Sequence, residues 1–466
     1  MAAFDGLMVS VSGVRGRVGE ALTPEIVATF AGAFGAWASR GGTRTVVVGR
    51  DSRVSGPMFT RIVHGALQSV GCTVIDVGMA PTPTVQLAVE HHHAAGGLAI
   101  TASHNPIEWN ALKFIGPSGL FLSAQEGADM RALLDAGIPR ATWDQLGEVV
   151  TDEGAVERHV RQLLALPWLD VAGIRARRFR VALDCCHGAG SGIMPLLLAE
   201  LGCELYAIHM EADGRFHRPP EPVAANLGEL EALVRATRAD VGFATDPDVD
   251  RLALVLDDGR APGEDWTLAL AARTALRHVR GPVVTNLSTS KVVADVAAEA
   301  GVPFHFAPVG EVNVALAMRD AGAAIGGEGN GGVILPALHL GRDAPAGAAL
   351  LLQLMREEGR PLSAVVAERP QYVIVKDKLD RPAAPLDAVY AALRDGFPDA
   401  AADTQDGLRL DWPDRWVHLR PSGTEPIVRV IAEAPTEGAA RALVAEARAP
   451  LARLAGGAAA VPSSPS

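Results

Sequence analysis

Short apolar runs alternate with longer amphipathic stretches along most of the chain. TRTVVVGRD (43–51) is a continuous apolar run that enters a polar loop, the pattern of a buried strand. In MFTRIVHGALQSVG (58–71) the apolar positions recur three and four apart, the period of a helix, and CTVIDVG (72–78) returns to the strand pattern. GGLAITAS (96–103) predicts a further strand. Strand, helix, strand at this spacing argues for an α/β unit on a largely parallel sheet. Ahead of it lie a glycine-rich loop, SVSGVRGRVG (10–19), and a helix from Pro24 to about Ser39.

The rhythm returns twice. ARRFRVALDCCHGAGSG (176–192) reads as a strand entering a glycine-rich turn, followed by a helix (IMPLLLAELG) and a strand (CELYAIHM). VGFA and LALVL then flank the acidic cluster TDPDVDR. A third unit holds the helix WTLALAARTALRHV, the strand PVVTNLS, the helix VVADVAAEAG, and the stretch from FHFAPVGEVNV to AAIGGEGNGGVILP. From about Arg369 the pattern changes to QYVIVKDKLD, a helix near Pro385–Arg394, a hairpin-like GLRLDWPDRWVHLR, the strand IVRVIAEA and a closing helix. The fold class expected is α/β, with three mixed α/β domains (1–150, 151–255, 256–368) and a smaller C-terminal α+β domain (369–466). The last stretch, GGAAAVPSSPS, has little to pack and is expected to be a disordered tail.

With 466 residues and a net charge of −12, the chain is expected to avoid nucleic acid, whose phosphate backbone an acidic surface repels. The one local basic cluster, RARRFR (175–180), reads as a solvated domain edge. Cys72, Cys185, Cys186 and Cys203 form no disulfide or CxxC pattern, which suits a reducing compartment. Neither a signal pattern nor a membrane-length apolar run is present, so a cytoplasmic location and no membrane partner are expected. His91, His92 and His93 read as a surface cluster at a helix end. Cys185, Cys186 and His187 read as buried filler, not a thiol–imidazole pair.

Four polar clusters carry candidate chemistry. Ser103 in Thr101-Ala102-Ser103-His104-Asn105-Pro106 directly follows an apolar strand, where functional loops of α/β sheets lie. Its hydroxyl is a weak nucleophile that needs activation, and an Asx/Pro turn is the plainer reading. Asp246, Asp248 and Asp250 alternate around Pro247, which favours a tight loop over a strand. Three carboxylates so close repel unless a cation such as Mg²⁺ neutralises them, though a solvated acidic turn would look alike. Arg251 beside them suits a phosphate oxygen. In Gly326–Gly332, Glu328 and Asn330 offer groups suited to sugar hydroxyls, or else form a flexible loop. Arg420-Pro421-Ser422-Gly423-Thr424-Glu425-Pro426, with Arg429, makes an anion cradle or a plain hairpin loop. Arg15, the loop Gly49-Arg50-Asp51-Ser52-Arg53 and Lys113 add cations near the first unit's strands; Lys113 is a candidate acid–base or phosphate-binding group.

TASHNP, DPDVDR, GEGNGG and RPSGTEP, in this order and spacing, resemble the α-D-phosphohexomutase family, and the likeness runs from Ser10 to the last helix. The resemblance implies four domains around a central active-site cleft. It makes Ser103 the phosphoserine, with Arg15, His104 and Lys113 as its catalytic neighbours, and Asp246, Asp248 and Asp250 the holders of Mg²⁺ together with the serine phosphate. Glu328 and Asn330 would grip the sugar. Arg420, Ser422, Gly423, Thr424 and Arg429 would hold the non-reacting phosphate, with Arg251 also on the substrate side. A hexose 1,6-bisphosphate would serve as activator and intermediate, and the enzyme would be a monomer or homodimer acting on a small sugar phosphate. Two departures stand out. Many relatives end the sugar loop Ser-Gly-His, whereas here it ends Asn330-Gly331-Gly332, and Ala307-Pro308 replaces threonine, arginine or lysine. Both resemble an archaeal-type branch of phosphoglucosamine mutases, with phosphomannomutase/phosphoglucomutase as the alternative. A serine-dependent sugar phosphatase and a non-catalytic sugar-phosphate binding protein are the more distant readings.

Overall fold

The apolar runs become strands, and the strands gather into four sheets. The computed structural model describes residues 6–10, 13–381, 385–422 and 427–456. Three of the sheets contain one repeated arrangement. In the first, Thr45–Arg50, Thr73–Met79, Gly96–Ile100 and Trp109–Ile115 take the spatial order second, first, third, fourth. The first three are parallel and the fourth is antiparallel. Arg180–Asp184, Glu204–Ile208, Val241–Thr245 and Leu252–Leu256 repeat this order and polarity in the second sheet. Val283–Asn286, Phe304–Ala307, Ile325–Glu328 and Gly332–Ile334 repeat it in the third. In every copy the reversal from parallel third strand to antiparallel fourth strand passes through one of the polar clusters: 101–108, 246–251 and 329–331. The repeat is therefore one of topology, and it delivers three chemically different loops from the same corner of three sheets.

The first sheet is extended at both edges. Val149–Thr151 joins beside Thr73–Met79, and Gly13–Arg17 pairs antiparallel with Trp109–Ile115, followed by Met8–Val9. The segment expected as a glycine-rich loop is thus partly a strand. Its glycines hide the alternation, and the pairing that stabilises it comes from nearly a hundred residues away. Arg15 lies opposite Ala111 in that register.

The second and third units share one apolar core that runs from Val160 to Val366 and includes the buried faces of helices Asp265–His278 and Ala344–Glu358. The first unit packs apolar residues on both faces of its sheet. The RARRFR cluster is a domain edge: Arg177, Arg180, Arg235, Arg238 and Arg360 line an open groove of about 520 Å³. Helices Val171–Arg177, Gly228–Thr237 and Ala344–Glu358 end beside it, and the guanidinium groups complement the negative ends of their dipoles. Among the described residues no helix is long and apolar enough to cross a membrane.

The fourth unit is an all-antiparallel five-stranded sheet, ordered Val373–Asp380, Ile427–Ala434, Trp416–Pro421, Leu408–Asp411, Ala401–Asp403. Helices Leu386–Gly396 and Glu437–Gly456 accompany it, and its core is separate. It meets the third unit through polar contacts. The buried Glu433 carboxylate accepts from Ser290 Oγ, Lys291 N and Trp416 Nε1. Arg409 lies between the Phe306 and Trp416 rings, 4.3 Å from each centroid, and donates to the Leu287 carbonyl. His418 Nε2 donates to the Asp406 carbonyl (2.6 Å), which leaves Nδ1 to accept from Ser288 Oγ (2.9 Å).

Burial pushes the His418 imidazole down from 6.5 to about 4. A folded value below the unfolded one means that its contribution to stability is complete above about pH 6.5 and is lost as pH falls toward 4. Thermal melts across this window should show wild type losing up to about 3 kcal/mol more than His418→Gln. Parallel pH profiles for the two proteins would remove His418 from the acid response.

Candidate active site

The turn after Gly96–Ile100 is held by one buried ion pair. Asp51, at the end of Thr45–Arg50, accepts from Arg53 Nε (3.0 Å), Arg53 N (3.0 Å) and Thr101 Oγ1 (2.7 Å). So oriented, Arg53 spends its remaining donors on the backbone of the turn. Nη2 reaches the carbonyls of Ser103 (2.6 Å) and Asn105 (2.7 Å), and Nη1 those of Pro106 and Trp109 (both 2.8 Å). The Phe216 ring, from the second unit, covers the guanidinium at 5.0 Å. Ser103 is thereby kept at φ 48°, a left-handed conformation that costs a non-glycine residue about 1–3 kcal/mol. The sequence offers Arg53 only as one cation of the Gly49–Arg53 loop; its role as the clamp of the turn shows in the fold, with its place two residues after Asp51 as the one local signal.

Ser103 faces the second unit's corner. Its Oγ donates to Asp246 Oδ2 at 2.7 Å and lies 3.3 Å from His104 Nδ1. Asp246, Asp248 and Asp250 are all fully buried, and each offers a carboxylate oxygen within 4.8 Å of the others. Val249, at φ 64°, turns the loop so that the three converge, as the proline-broken spacing predicts. Burial, and then the charges of Asp250 and Asp248, push the Asp246 carboxyl well above the usual range. Burial also opposes the charge of Asp250, but Arg342, Lys113 and Arg251 outweigh it and hold that carboxyl far below. Asp248 Oδ2 accepts from Thr82 Oγ1 (2.7 Å) and Lys113 Nζ (2.6 Å). Asp248 Oδ1 and Asp250 Oδ1 are buried with no hydrogen-bond partner. Orphaned hard oxygens beside a carboxylate that its neighbours drive toward neutrality fit a small divalent cation such as Mg²⁺.

Cations surround this loop. Lys113 Nζ binds Asp248 and also Asp250 (3.2 Å); burial would lower its ammonium, but the two carboxylates raise it. Arg15 donates to Asn105 Oδ1 at 3.3 Å, and burial together with the nearby Arg251 charge lowers its guanidinium. Arg251 donates through its backbone to Asp246 (3.2 Å) and through Nη1 to Glu221 (3.3 Å). His104 is pushed down to about 2 by burial and by the Arg251 charge, which keeps the imidazole neutral.

The third unit's corner joins through Arg342. Its Nη2 donates to Asp250 Oδ2 (2.7 Å) and its Nη1 to Glu328 Oε2 (2.6 Å), while Nε lies 3.0 Å from Glu311 Oε2. Glu328 Oε1 accepts from Asn286 Nδ2 (2.8 Å) and Gly310 N (3.1 Å). Asn330 Oδ1 accepts from Gly332 N at 3.2 Å. Gly331, at φ 87°, passes so close to Leu252 that a Cβ would lie 2.4 Å from the Leu252 carbonyl oxygen.

Ser103, His104, Arg15, Lys113, Arg251 and the three aspartates are thus brought together, with Glu328 tied in through Arg342. The fourth unit's residues stand one step further out. Arg420 pairs with Asp406 (3.0 Å), whose carboxylate accepts from Val309 N (3.1 Å), next to the Gly310 amide that binds Glu328. Arg429 lies opposite Arg420 across the strand pair, and Ser422 N donates to the Ile427 carbonyl (2.9 Å). Gly423 and Thr424 lie outside the described residues. The remaining candidates behave as filler or surface: Cys185 and Cys186 are buried, with burial pushing the Cys186 thiol up to about 12. His187 Nε2 faces His217 Nδ1 at 2.7 Å, and His92 pairs with Asp152 at 2.8 Å.

Residues 7–137, 157–259 and 263–373 match the families described as Phosphoglucomutase/phosphomannomutase, alpha/beta/alpha domains I, II and III, and residues 372–449 match the C-terminal domain. The sequence is 39% identical over 445 residues to a probable phosphoglucosamine mutase of Methanopyrus kandleri, covering 94% of this chain and 96% of that protein. With the same coverage it is 38% identical to a phosphoglucomutase/phosphomannomutase of Thermococcus kodakarensis. A phosphoglucomutase/phosphomannomutase family protein from Burkholderia thailandensis superposes with a TM-score of 0.83 at 26% identity, over 95% of this chain and 96% of that one.

Arg53→Lys keeps a charge for Asp51 but cannot reach four carbonyls. It should cost about 3 kcal/mol in urea unfolding and speed hydrogen exchange across 101–109. Unchanged exchange in that segment would show that the turn holds its shape without the clamp.

Proposed function

This chain belongs to the α-D-phosphohexomutase superfamily of phosphoglucomutases, phosphomannomutases and phosphoglucosamine mutases, and from that membership we propose that it is a phosphoglucosamine mutase with Ser103 as phosphate carrier. The reaction class is an intramolecular phosphotransfer of the phosphohexomutase type. The observation that supports the carrier role is Ser103 Oγ, clamped from behind by Arg53 and 2.7 Å from the most charge-crowded aspartate. The preference for glucosamine rests on the names of relatives such as the Methanopyrus kandleri protein. The Thermococcus kodakarensis protein, 38% identical, supports phosphomannomutase/phosphoglucomutase as the second reading.

In this reading residues 1–150 carry the phosphoserine, 151–255 the cation loop, 256–368 the sugar loop and 369–466 the phosphate cradle. The phosphoryl group leaves phospho-Ser103 for the free hydroxyl of a hexose monophosphate. The Oγ–P bond breaks, a new O–P bond forms at C1 or C6, and the hydroxyl proton ends on Ser103 Oγ. The resulting 1,6-bisphosphate turns over in the site, and its other phosphate returns to Ser103 by the same exchange. Neutral His104, 3.3 Å from Ser103 Oγ, can hydrogen-bond to the reacting oxygen without adding a charge to the site. Lys113, whose ammonium two carboxylates stabilise, acts as a fixed charge toward phosphate and not as a base. Arg15 and Arg251, beside Ser103 and the aspartate loop, would supply positive charge to the equatorial oxygens. Asp246, Asp248, Asp250 and the serine phosphate would hold Mg²⁺, which supplies positive charge against the oxygens of the phosphoryl group in flight. Arg420, Ser422, Gly423, Thr424 and Arg429 hold the phosphate that is not reacting.

Glu328 and Asn330 bind the sugar. A carboxylate offers about four acceptor sites, and three protein donors already use three of those on Glu328. One remains, so Glu328 accepts one hydroxyl, and neighbouring groups such as Asn330 must read the rest.

A coupled isomerisation assay tests the proposal, with Mg²⁺-loaded protein primed by hexose 1,6-bisphosphate and offered glucosamine, mannose and glucose 6-phosphates. The expected outcome is the highest kcat/KM for glucosamine 6-phosphate, with Ser103→Ala lowering kcat by roughly a thousandfold or more. Removal of Mg²⁺ by chelation should abolish turnover reversibly. Higher kcat/KM for mannose or glucose would transfer the name, and release of inorganic phosphate without isomer would replace the mutase by a phosphatase.

A further inference from the structure

We infer that Arg342 is a positioning residue that couples sugar recognition to the cation loop, from a place that glycine at position 332 leaves open. The inference rests on the proposed mutase reading for the identity of the ligand, and on geometry for the rest.

Arg342 is 7% exposed; its guanidinium hydrogen-bonds two acidic side chains and ion-pairs with a third, and the three belong to different parts of the site. Nη2 holds Asp250 Oδ2, Nη1 holds Glu328 Oε2, and Nε faces Glu311 Oε2. Its backbone is pinned as well, since Arg342 N donates to Glu311 Oε1 at 3.1 Å. The following residue, Asp343, caps helix Ala344–Glu358 and receives His159 Nε2 (2.8 Å) and His339 Nε2 (2.9 Å). The guanidinium therefore starts from a fixed backbone and ends on two fixed carboxylates. With one oxygen of Asp250 engaged by Arg342 and Lys113, the other is left for a cation. With Glu328 Oε2 anchored by a single donor, its remaining lone pair has a set direction.

The route of the side chain explains the glycine. A Cβ on Gly332 would lie 2.3 Å from Arg342 Cδ and 3.1 Å from its Cγ. Gly332 has an ordinary backbone conformation, so the glycine is there for space and not for a turn. A side chain at 332 and Arg342 on its present path exclude one another. The corner that lacks a sugar-facing side chain at 332 is crossed instead by an arginine that sets Glu328.

Loss of this arginine should weaken the sugar without weakening the cation. Arg342→Gln removes the anchor of Glu328, which weakens sugar binding. It removes no oxygen from the aspartate loop, and it takes away a positive charge that competes with the cation for Asp250. General loosening of the fold would weaken both ligands together.

The test is calorimetric titration of the full-length protein with Mg²⁺ alone and, separately, with glucosamine 6-phosphate and glucose 6-phosphate. For Arg342→Gln, hexose phosphate affinity should fall at least about tenfold while the Mg²⁺ affinity is unchanged or up to about tenfold tighter. Gly332→Ala displaces the stem but keeps the charge, so it should weaken the hexose phosphate and leave Mg²⁺ as in wild type; it carries the test if Arg342→Gln does not fold. Parallel weakening of both ligands, or wild-type sugar affinity in both variants, overturns the role of Arg342 while the mutase reading stands. Wild-type protein that binds neither hexose phosphate overturns both.

Discussion

Three carboxylates buried on one six-residue loop are the constraint around which the rest of the molecule is arranged. Asp246, Asp248 and Asp250 cannot all remain charged, dry and unaccompanied. The chain answers with cations from two other sheets: Lys113 from the first unit and Arg342 from the third, with Arg251 on the loop itself. These contacts cross unit boundaries, so the electrostatic need of one loop also fixes how three sheets stand relative to one another. The apolar core shared by the second and third units gives the loop a rigid base.

The site is assembled from three copies of one structural corner. A parallel strand ends, the chain reverses into an antiparallel neighbour, and the reversal carries the chemistry. The first copy offers a hydroxyl, the second a set of carboxylates, the third an acceptor and an amide. Because the corner is the same, its position at the carboxyl end of a sheet is secured by topology, and its side chains are free to differ. The fourth unit does not share this plan. It reaches the site through a relay in which adjacent amides of Val309 and Gly310 bind Asp406 and Glu328. A shift of the fourth sheet is thus felt within two residues of the sugar loop.

Much of this was legible in the chain. TASHNP and DPDVDR each follow an apolar run, so their placement at strand ends could be read directly, and Pro247 marked the aspartate segment as a loop. The hairpin at 407–420 and the flanking strands also followed from their patterns. What escaped reading was long-range. Gly13–Arg17 is a strand only because Trp109–Ile115 lies beside it, and Gly332–Ile334 is too short to show a period. Arg53 and Arg342 look like ordinary loop arginines in sequence. Their importance comes from carbonyls and carboxylates that are distant along the chain, and only the fold brings those partners within reach.

The mutual exclusion at positions 332 and 342 also imposes an order on history. An ancestor with a side chain at 332 could not first acquire the arginine in its present path, because both would occupy one volume. The corner must first be emptied, passing through a form with neither group, or the arginine must wait elsewhere until space appears. Change at one position is then gated by the state of the other in both directions: a side chain can return to 332 only after the arginine has left its path.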